Sequence, residues 1–256
     1  MPDGRQLGKK PARVDLRTFK MARYLRAELP APPQDFDWAP AGKFTWPMLL
    51  NDSLGDCVVA GALHSIEEWS GNAAEPIIAN NNDALAIYEV FGYVPGNPST
   101  DNGIDMLSFM NYWRKTGLMV GGQKHQILAY VSVNPKDPVE VAQAIYLFGN
   151  LFTGVALPLT AQDQEVWSVP GQLAGNAQPG SWGGHCIPIM QYDIGAKYPE
   201  GLTCITWGER LVMTWDFLST YCDEAYAVLS SEWFRTNGLA PNQFNLAQLQ
   251  ADLKAL

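Results

Sequence analysis

Apolar residues recur at helical spacing from residue 57, where CVVAGALHSIEEW sets Val59, Ala62, Leu63, Ile66 and Trp69 toward one side with no proline inside the run. This predicts a helix over 57–69. Similar patterns predict helices over 82–91 and 106–116, and a further one over 139–148. After Gly121-Gly122, which reads as a turn, the pattern changes to short β-rich runs at 127–133, 151–157, 186–192, 202–207 and 225–229. Residues 15–29 read as a short amphipathic helix stopped by Pro30-Ala-Pro-Pro33, a linker into the body. Leu246, Leu249, Leu253 and Leu256 form an apolar stripe on a C-terminal helix that begins after Asn245. Asn80-Asn-Asn82 and residues 170–184 read as loops, and there is no internal repeat.

Composition narrows what this pattern builds. With 256 residues and 47% hydrophobic side chains, the chain can bury one large core or two lobes sharing a cleft. No apolar run reaches the ~18 residues of a membrane span, and the basic N-terminus has no hydrophobic signal core behind it. The expected location is therefore cytoplasmic or, for a particle protein, the virion. The four cysteines at 57, 186, 204 and 222 lack the dense pairing of a secreted scaffold, so reduced thiols are expected.

Charge separates the N-terminus from the rest. Residues 1–26 carry eight basic and two acidic side chains, a net of +6, while the other 230 residues carry nine basic and 24 acidic ones, a net of −15. This is a basic arm on an acidic body, expected to dock on protein: its own body or an assembly partner. Nucleic acid is disfavoured as a partner, because the arm has no recognition motif and the body would repel phosphate. An inhibitory role for the arm is disfavoured by its shortness.

The candidate chemistry centres on Asn51-Asp-Ser-Leu-Gly-Asp-Cys57. Asp56 is the natural N-cap of the first helix. A cysteine in the first helical turn sits near free backbone N–H groups and the positive end of the helix dipole, which favour thiolate and make Cys57 a candidate nucleophile. His64, seven residues on, is about 10.5 Å further along the helix and reads as a hydrogen-bonded structural residue. His125 reads as an exposed loop residue, and Glu67-Glu68, Glu209 and Asp223-Glu224 as solvated faces or ion pairs. No metal site is expected: there is no CxxC spacing, and the adjacent strand residues His185 and Cys186 point to opposite faces. No cofactor is called for.

The spacing from Asn51 to Cys57 resembles the papain-like cysteine peptidases, in which a glutamine six residues before the nucleophile donates to the oxyanion. The ordered set continues through Asp101-Asn-Gly-Ile-Asp-Met-Leu-Ser-Phe-Met-Asn-Tyr-Trp113, the helix and strand at 139–158, Gly183-Gly184-His185 and Thr206-Trp207-Gly208. The resemblance spans roughly residues 36–233 and implies an α+β, two-lobed papain-like fold: a helical lobe and a β-barrel-like lobe with the active-site cleft between them. The implied organisation is a basic arm at 1–35, a helical lobe at 36–125, a β-rich lobe at 126–235 and a C-terminal extension at 236–256. It implies catalysis by Cys57 and His185 with Asn51 at the oxyanion, and Trp207, Gly183 and Gly184 as cleft wall. One position departs from the family: Ile205 stands where an asparagine would orient the histidine, and isoleucine accepts no hydrogen bond. The expected function is a thiol hydrolase acting on peptide or amide substrates. The alternatives are a catalytically weak or inactive binding or structural protein and an acyltransferase using the same thiol. The opening residues 7–19 also resemble uncharacterised bacterial and bacteriophage papain-like proteins, which would suit a component of a phage particle.

Overall fold

A computed structural model describes residues 4–23, 31–195, 200–234 and 239–242. In chain order its elements are β1 (Asp35–Asp37), α1 (Cys57–Asn72), α2 (Asn81–Val90), α3 (Met106–Lys115), β2 (Leu118–Val120), β3 (Gln123–His125), β4 (Ile127–Ser132), α4 (Pro138–Phe148) and β5 (Leu151–Leu157). There follow β6 (Val166–Trp167), β7 (Gly183–Asp193), β8 (Glu200–Thr206), β9 (Glu209–Thr214), α5 (Trp215–Tyr221) and β10 (Cys222–Ser230). The chain adopts the α+β, two-lobed papain-like fold. Its main sheet runs β4-β10-β5-β7-β8-β9-β6, with β1 added beside β7.

α1 is buried along almost its whole length, because Gly61 lets it lie close on β7 and β5. A Cβ at Gly61 would stand 3.3 Å from the Phe152 ring and 3.4 Å from the Cys186 sulfur. Trp69, Trp113, Phe109 and Phe152 interlock behind it in tilted and edge-on contacts. Glu67 and Glu68 of the same helix are buried, not solvated as their charge suggested. Glu67 accepts the Ala79 N–H at 2.9 Å, and Glu68 accepts the side-chain amides of Asn72 at 2.6 Å and Asn150 at 3.1 Å. Burial pushes both carboxyls up to about 8.

Other expectations change at the ends of elements. Asn80 caps α2 through a reciprocal pairing with Asp83, so Asn81 and Asn82 are helical and not loop. Gly121 and Gly122, both at positive φ, turn β2 into β3 as expected. The predicted helix over 15–29 is not formed in its described part, which holds a turn near 15–18 and a three-residue 3-10 helix, Met21–Arg23. Residues 24–29 and the leucine stripe from Leu246 to Leu256 lie outside the described residues. His125 is also not exposed: it is buried in β3, with Nδ1 at 2.9 Å from Glu232 Oε1.

Candidate active site

Cys57 is the first residue of α1, so its own backbone N–H has no acceptor within the helix. The loop before it turns through Leu49 and Leu50, both in the left-handed region at φ 56° and 70°, a conformation that costs a side-chain-bearing residue about 1–2 kcal/mol. That turn sets Asn51 beside the start of the helix. Asp56 stands at the N-cap position, yet its carboxylate caps nothing in the helix. It is fully buried instead, and burial raises its pKa well above the ordinary carboxylate range.

His185 lies near the start of β7, the strand on which α1 packs. Its ring stacks on Trp207 at 4.3 Å and 14° between planes, and its Nε2 lies 2.7 Å from Thr206 Oγ1. Trp207 and Gly208 form the two-residue turn between β8 and β9, both at positive φ. The imidazole Nδ1 is buried and makes no hydrogen bond. Ile205 does not face the histidine. Side chains alternate along a strand, so Ile205 points to the other face and packs with Ala39 and Met190, beside Phe44 and Trp46. The polar contact expected to be missing is supplied by the next residue, Thr206.

The backbone N–H groups of Cys186, the residue after His185, and of Gly8 both act on the Cys57 thiol, pulling its pKa down. Gly8 belongs to the basic arm, and residues 6–10 thread through the site. The Gln6 N–H donates to Asn51 O at 3.0 Å, and the Gln6 carbonyl accepts Asn51 Nδ2 at 3.3 Å and Trp207 Nε1 at 3.2 Å. The Lys9 N–H donates to Gly184 O at 3.0 Å; Ile104 N–H donates to Gly8 O at 2.7 Å, and Lys10 N–H to Ile104 O at 2.9 Å. Gly8 makes this seating possible: a Cβ there would stand 1.7 Å from Gly55 O. Gly183 and Gly184 serve the same close approach, against Leu7 and the Lys9 carbonyl respectively.

Under this cover Cys57 and His185 are both buried and neutral. Burial pushes the Cys57 thiol up to about 12, against the downward pull of its backbone N–H donors. Burial also lowers the His185 imidazole to about 3. The helix N-terminus that favours thiolate is thus outweighed by loss of solvent. His64 is held apart from the site, with Nε2 at 2.8 Å from Pro47 O and its ring edge-on to Trp46.

Lys9 and its partners escaped the sequence reading. Its ammonium is buried between Asp223 (2.9 Å) and Glu224 (3.1 Å) and donates also to Lys10 O at 3.1 Å. Asp223-Glu224, expected on a solvated face or in ion pairs, is paired, with a partner that nothing in the chain order brings from residue 9 to residue 223. The described residues contain no cluster of three metal-ligating side chains. All four cysteines are free, and the paired strands β7 and β8 do not bring Cys186 and Cys204 into a disulfide.

No protein-family model and no curated protein matches the sequence. Solved structures do match the fold. Xylellain, a cysteine protease from Xylella fastidiosa, superposes with a TM-score of 0.67 over 89% of this chain and 97% of its own, at 14% identity. Procathepsin B S9 from Trypanosoma congolense matches with a TM-score of 0.58 over 89% and 87%, at 10% identity. Digestive procathepsin L2 from the larval midgut of Tenebrio molitor matches with a TM-score of 0.58 over 89% and 79%, at 14% identity. At these identities the likeness establishes the papain-like cysteine-protease fold.

Proposed function

We propose that this chain is a cysteine hydrolase of peptide-type amides, held latent by its own N-terminal arm. The observation that carries the reading is the seating of Gln6–Gly8, whose backbone hydrogen-bonds to Asn51, to Trp207 and to Ile104, with the Gly8 N–H acting on the Cys57 thiol. A polypeptide already lies where a substrate would react. With the arm withdrawn, water reaches the site and the burial that holds thiol and imidazole neutral is relieved, so the Cys57 proton can pass to the free Nδ1 of His185. The thiolate then attacks a carbonyl carbon. Asn51 Nδ2, which already donates to a backbone carbonyl, and the Cys57 N–H face the developing oxyanion. His185 returns the proton to the leaving amine, and water releases the acyl group by the same path in reverse. Thr206 keeps Nε2 occupied and the ring aligned on Trp207, as a positioning residue.

The depth of burial of Cys57 and His185 favours one other reading, a binding or structural protein whose arm never leaves. Selective alkylation separates the two. The hydrolase reading expects a full-length variant with an unseated arm to label at Cys57 far faster than at Cys186, Cys204 or Cys222, and to cleave amide substrates; a Cys57 that stays inert once the arm is out supports the structural reading. Products formed with and without an added amine then distinguish hydrolysis from acyl transfer.

A further inference from the structure

Among the described residues every α-helix but one opens on a side chain that caps it: Asn80 for α2, Asp105 for α3, Asp137 for α4 and Thr214 for α5 each accept an N–H of the first turn. The exception is α1. Asp56 has the residue type of a cap but not the backbone, since its φ of −102° and ψ of 19° lie outside the extended region from which the other four act. Its carboxyl is turned into the protein instead. The first turn of the helix that carries Cys57 is thereby left without a side-chain cap, which keeps its N–H groups and positive end for the thiolate and the oxyanion.

The place where that carboxyl goes is hostile to charge. Asp56 is 0% exposed, and neither of its oxygens has a hydrogen-bond partner among the described residues. Its ionisable neighbours are Asp52 on the preceding loop, Asp101 before α3, Tyr88 of α2 and Cys57 of α1, and a carboxylate at residue 56 works against the ionised form of each. Asp101 is fixed in place: it accepts the Gly55 N–H on both oxygens at 3.0 and 3.1 Å and the Tyr88 hydroxyl at 2.5 Å, while that hydroxyl accepts the Gly103 N–H at 3.0 Å. Asp56 is therefore held as the neutral acid. The favourable neighbour is the Asn51 amide, which acts on the carboxyl in the direction of the charged form without a formed bond. Its protons are engaged by Leu54 O at 3.1 Å and Gln6 O at 3.3 Å.

We propose that Asp56 is a further positioning residue of the Cys57 centre: as the neutral acid it leaves the Asn51 amide to the reacting carbonyl, and on losing its proton it draws that amide away and switches the centre off. Leu54 O belongs to the same loop as Asn51, whereas Gln6 O leaves with the arm, so one amide proton is released to whichever acceptor is stronger. A neutral acid competes weakly for it. A carboxylate binds an N–H about twice as strongly as a neutral acceptor does, and its charge also opposes the Cys57 thiolate. The proposal rests on the hydrolase reading for its oxyanion, while the proton-dependent contact between Asp56 and Asn51 exists with or without turnover.

The test uses the full chain with Gly8→Ala, which unseats the arm because a Cβ at residue 8 would stand 1.7 Å from Gly55 O. In nitrogen-15-labelled protein the Asn51 side-chain amide, assigned by its loss in Asn51→Ser, is followed by NMR from about pH 4 to about pH 10, a range wide enough to hold a raised carboxyl. Its resonances should titrate, and adding Asp56→Asn, which cannot ionise, should flatten the curve. Turnover of a fluorogenic amide is measured over the same range. There kcat should fall as the amide titrates while KM changes less than about twofold, and Asp56→Asn should carry the descending limb upward by about one pH unit or more. An Asn51 amide that titrates alike with and without Asp56→Asn overturns the proposal. Turnover whose descending limb stays in place refutes the positioning role and leaves the hydrolase, whereas an Asp56-dependent titration without turnover at any pH refutes the hydrolase reading and leaves the contact standing. Should Gly8→Ala fold poorly, Lys9→Ala provides the second background with the same outcomes.

Discussion

The two halves of the basic arm are held in different ways. Residues 6–10 are seated by backbone hydrogen bonds to Asn51, Ile104 and Gly184, by the glycine-to-backbone approaches of Gly8 and Gly184, and by the ion pairs of buried Lys9 with Asp223 and Glu224. Further along, Arg13 pairs with Asp105 on the surface, Arg17 pairs with its neighbour Asp15, and Val14 and Leu16 are 90% and 95% exposed. The arm's net charge of +6 made docking foreseeable, and Lys9 buries its charge in the body. Charge brings the arm to an acidic surface; shape and backbone pairing decide where it rests.

The largest expected effect comes from breaking the seated half. Gly8→Ala should raise Cys57 alkylation by iodoacetamide at pH 7.5 about 100-fold, as the thiol falls from about 12 toward the ~8.5 of a free cysteine and part of the gain in thiolate is offset by its lower nucleophilicity. Mass mapping of the alkylated cysteine checks it, and an unchanged rate would show that the arm is not what shields the thiol. Lys9→Met removes the cation from two carboxylates and should destabilise the protein by about 2–4 kcal/mol in urea, below the ~3–5 of a fully dry pair because the Asp223 side chain is 32% exposed. The loss should shrink at acidic pH, where Glu224, raised by burial, takes up a proton.

Next in size are the substitutions around His185. Ile205→Asn should cost about 1–3 kcal/mol, because it sets an amide among Ala39 and Met190, and should bring no gain in Cys57 reactivity in the Gly8→Ala background. Thr206→Val should cost about 1 kcal/mol and lower amide turnover in that same background by about tenfold or more, with the pH profile displaced as Nε2 loses its partner. A gain in Ile205→Asn, or an unaffected Thr206→Val, would reverse their assigned positions. Wild-type stability should also depend on pH through the buried histidines. His64 and His185 are neutral in the fold, lowered by burial to about 4 and about 3, whereas the unfolded chain protonates them near 6.5. Their contribution is therefore present above about 6.5 and is lost as pH falls toward those values. Urea midpoints between pH 7 and 5 measure it, read against Glu67 and Glu68, which pull the other way because their raised values favour the fold at lower pH. The smallest effect is expected in the exposed half of the arm, where Arg13→Ala should leave both the thermal midpoint and Cys57 alkylation unchanged.

Much of this molecule was readable along the chain. Helical spacing located α1 to α4, β-rich runs located β4, β5, β7, β8 and β10, and the order of cysteine, histidine and Trp-Gly indicated a papain-like fold, because these signals are local or ordered in sequence. Short elements such as β1, β6, β9 and α5 carried too little pattern to be separated from their surroundings. Strand alternation sets Thr206 and Ile205 on opposite faces, but which of the two faces His185 depends on how β8 lies against β7, and pairing register is not written in a single strand.

Residue types and their spacing by themselves determined that Cys57 opens a helix and that a basic arm precedes an acidic body. Only the tertiary structure decided that the arm covers the thiol, that burial outweighs the helix dipole at Cys57, and that Lys9 lies between Asp223 and Glu224. Each of these depends on distances between residues far apart in the chain and on the exclusion of water, and desolvation is a property of packing that no local pattern encodes.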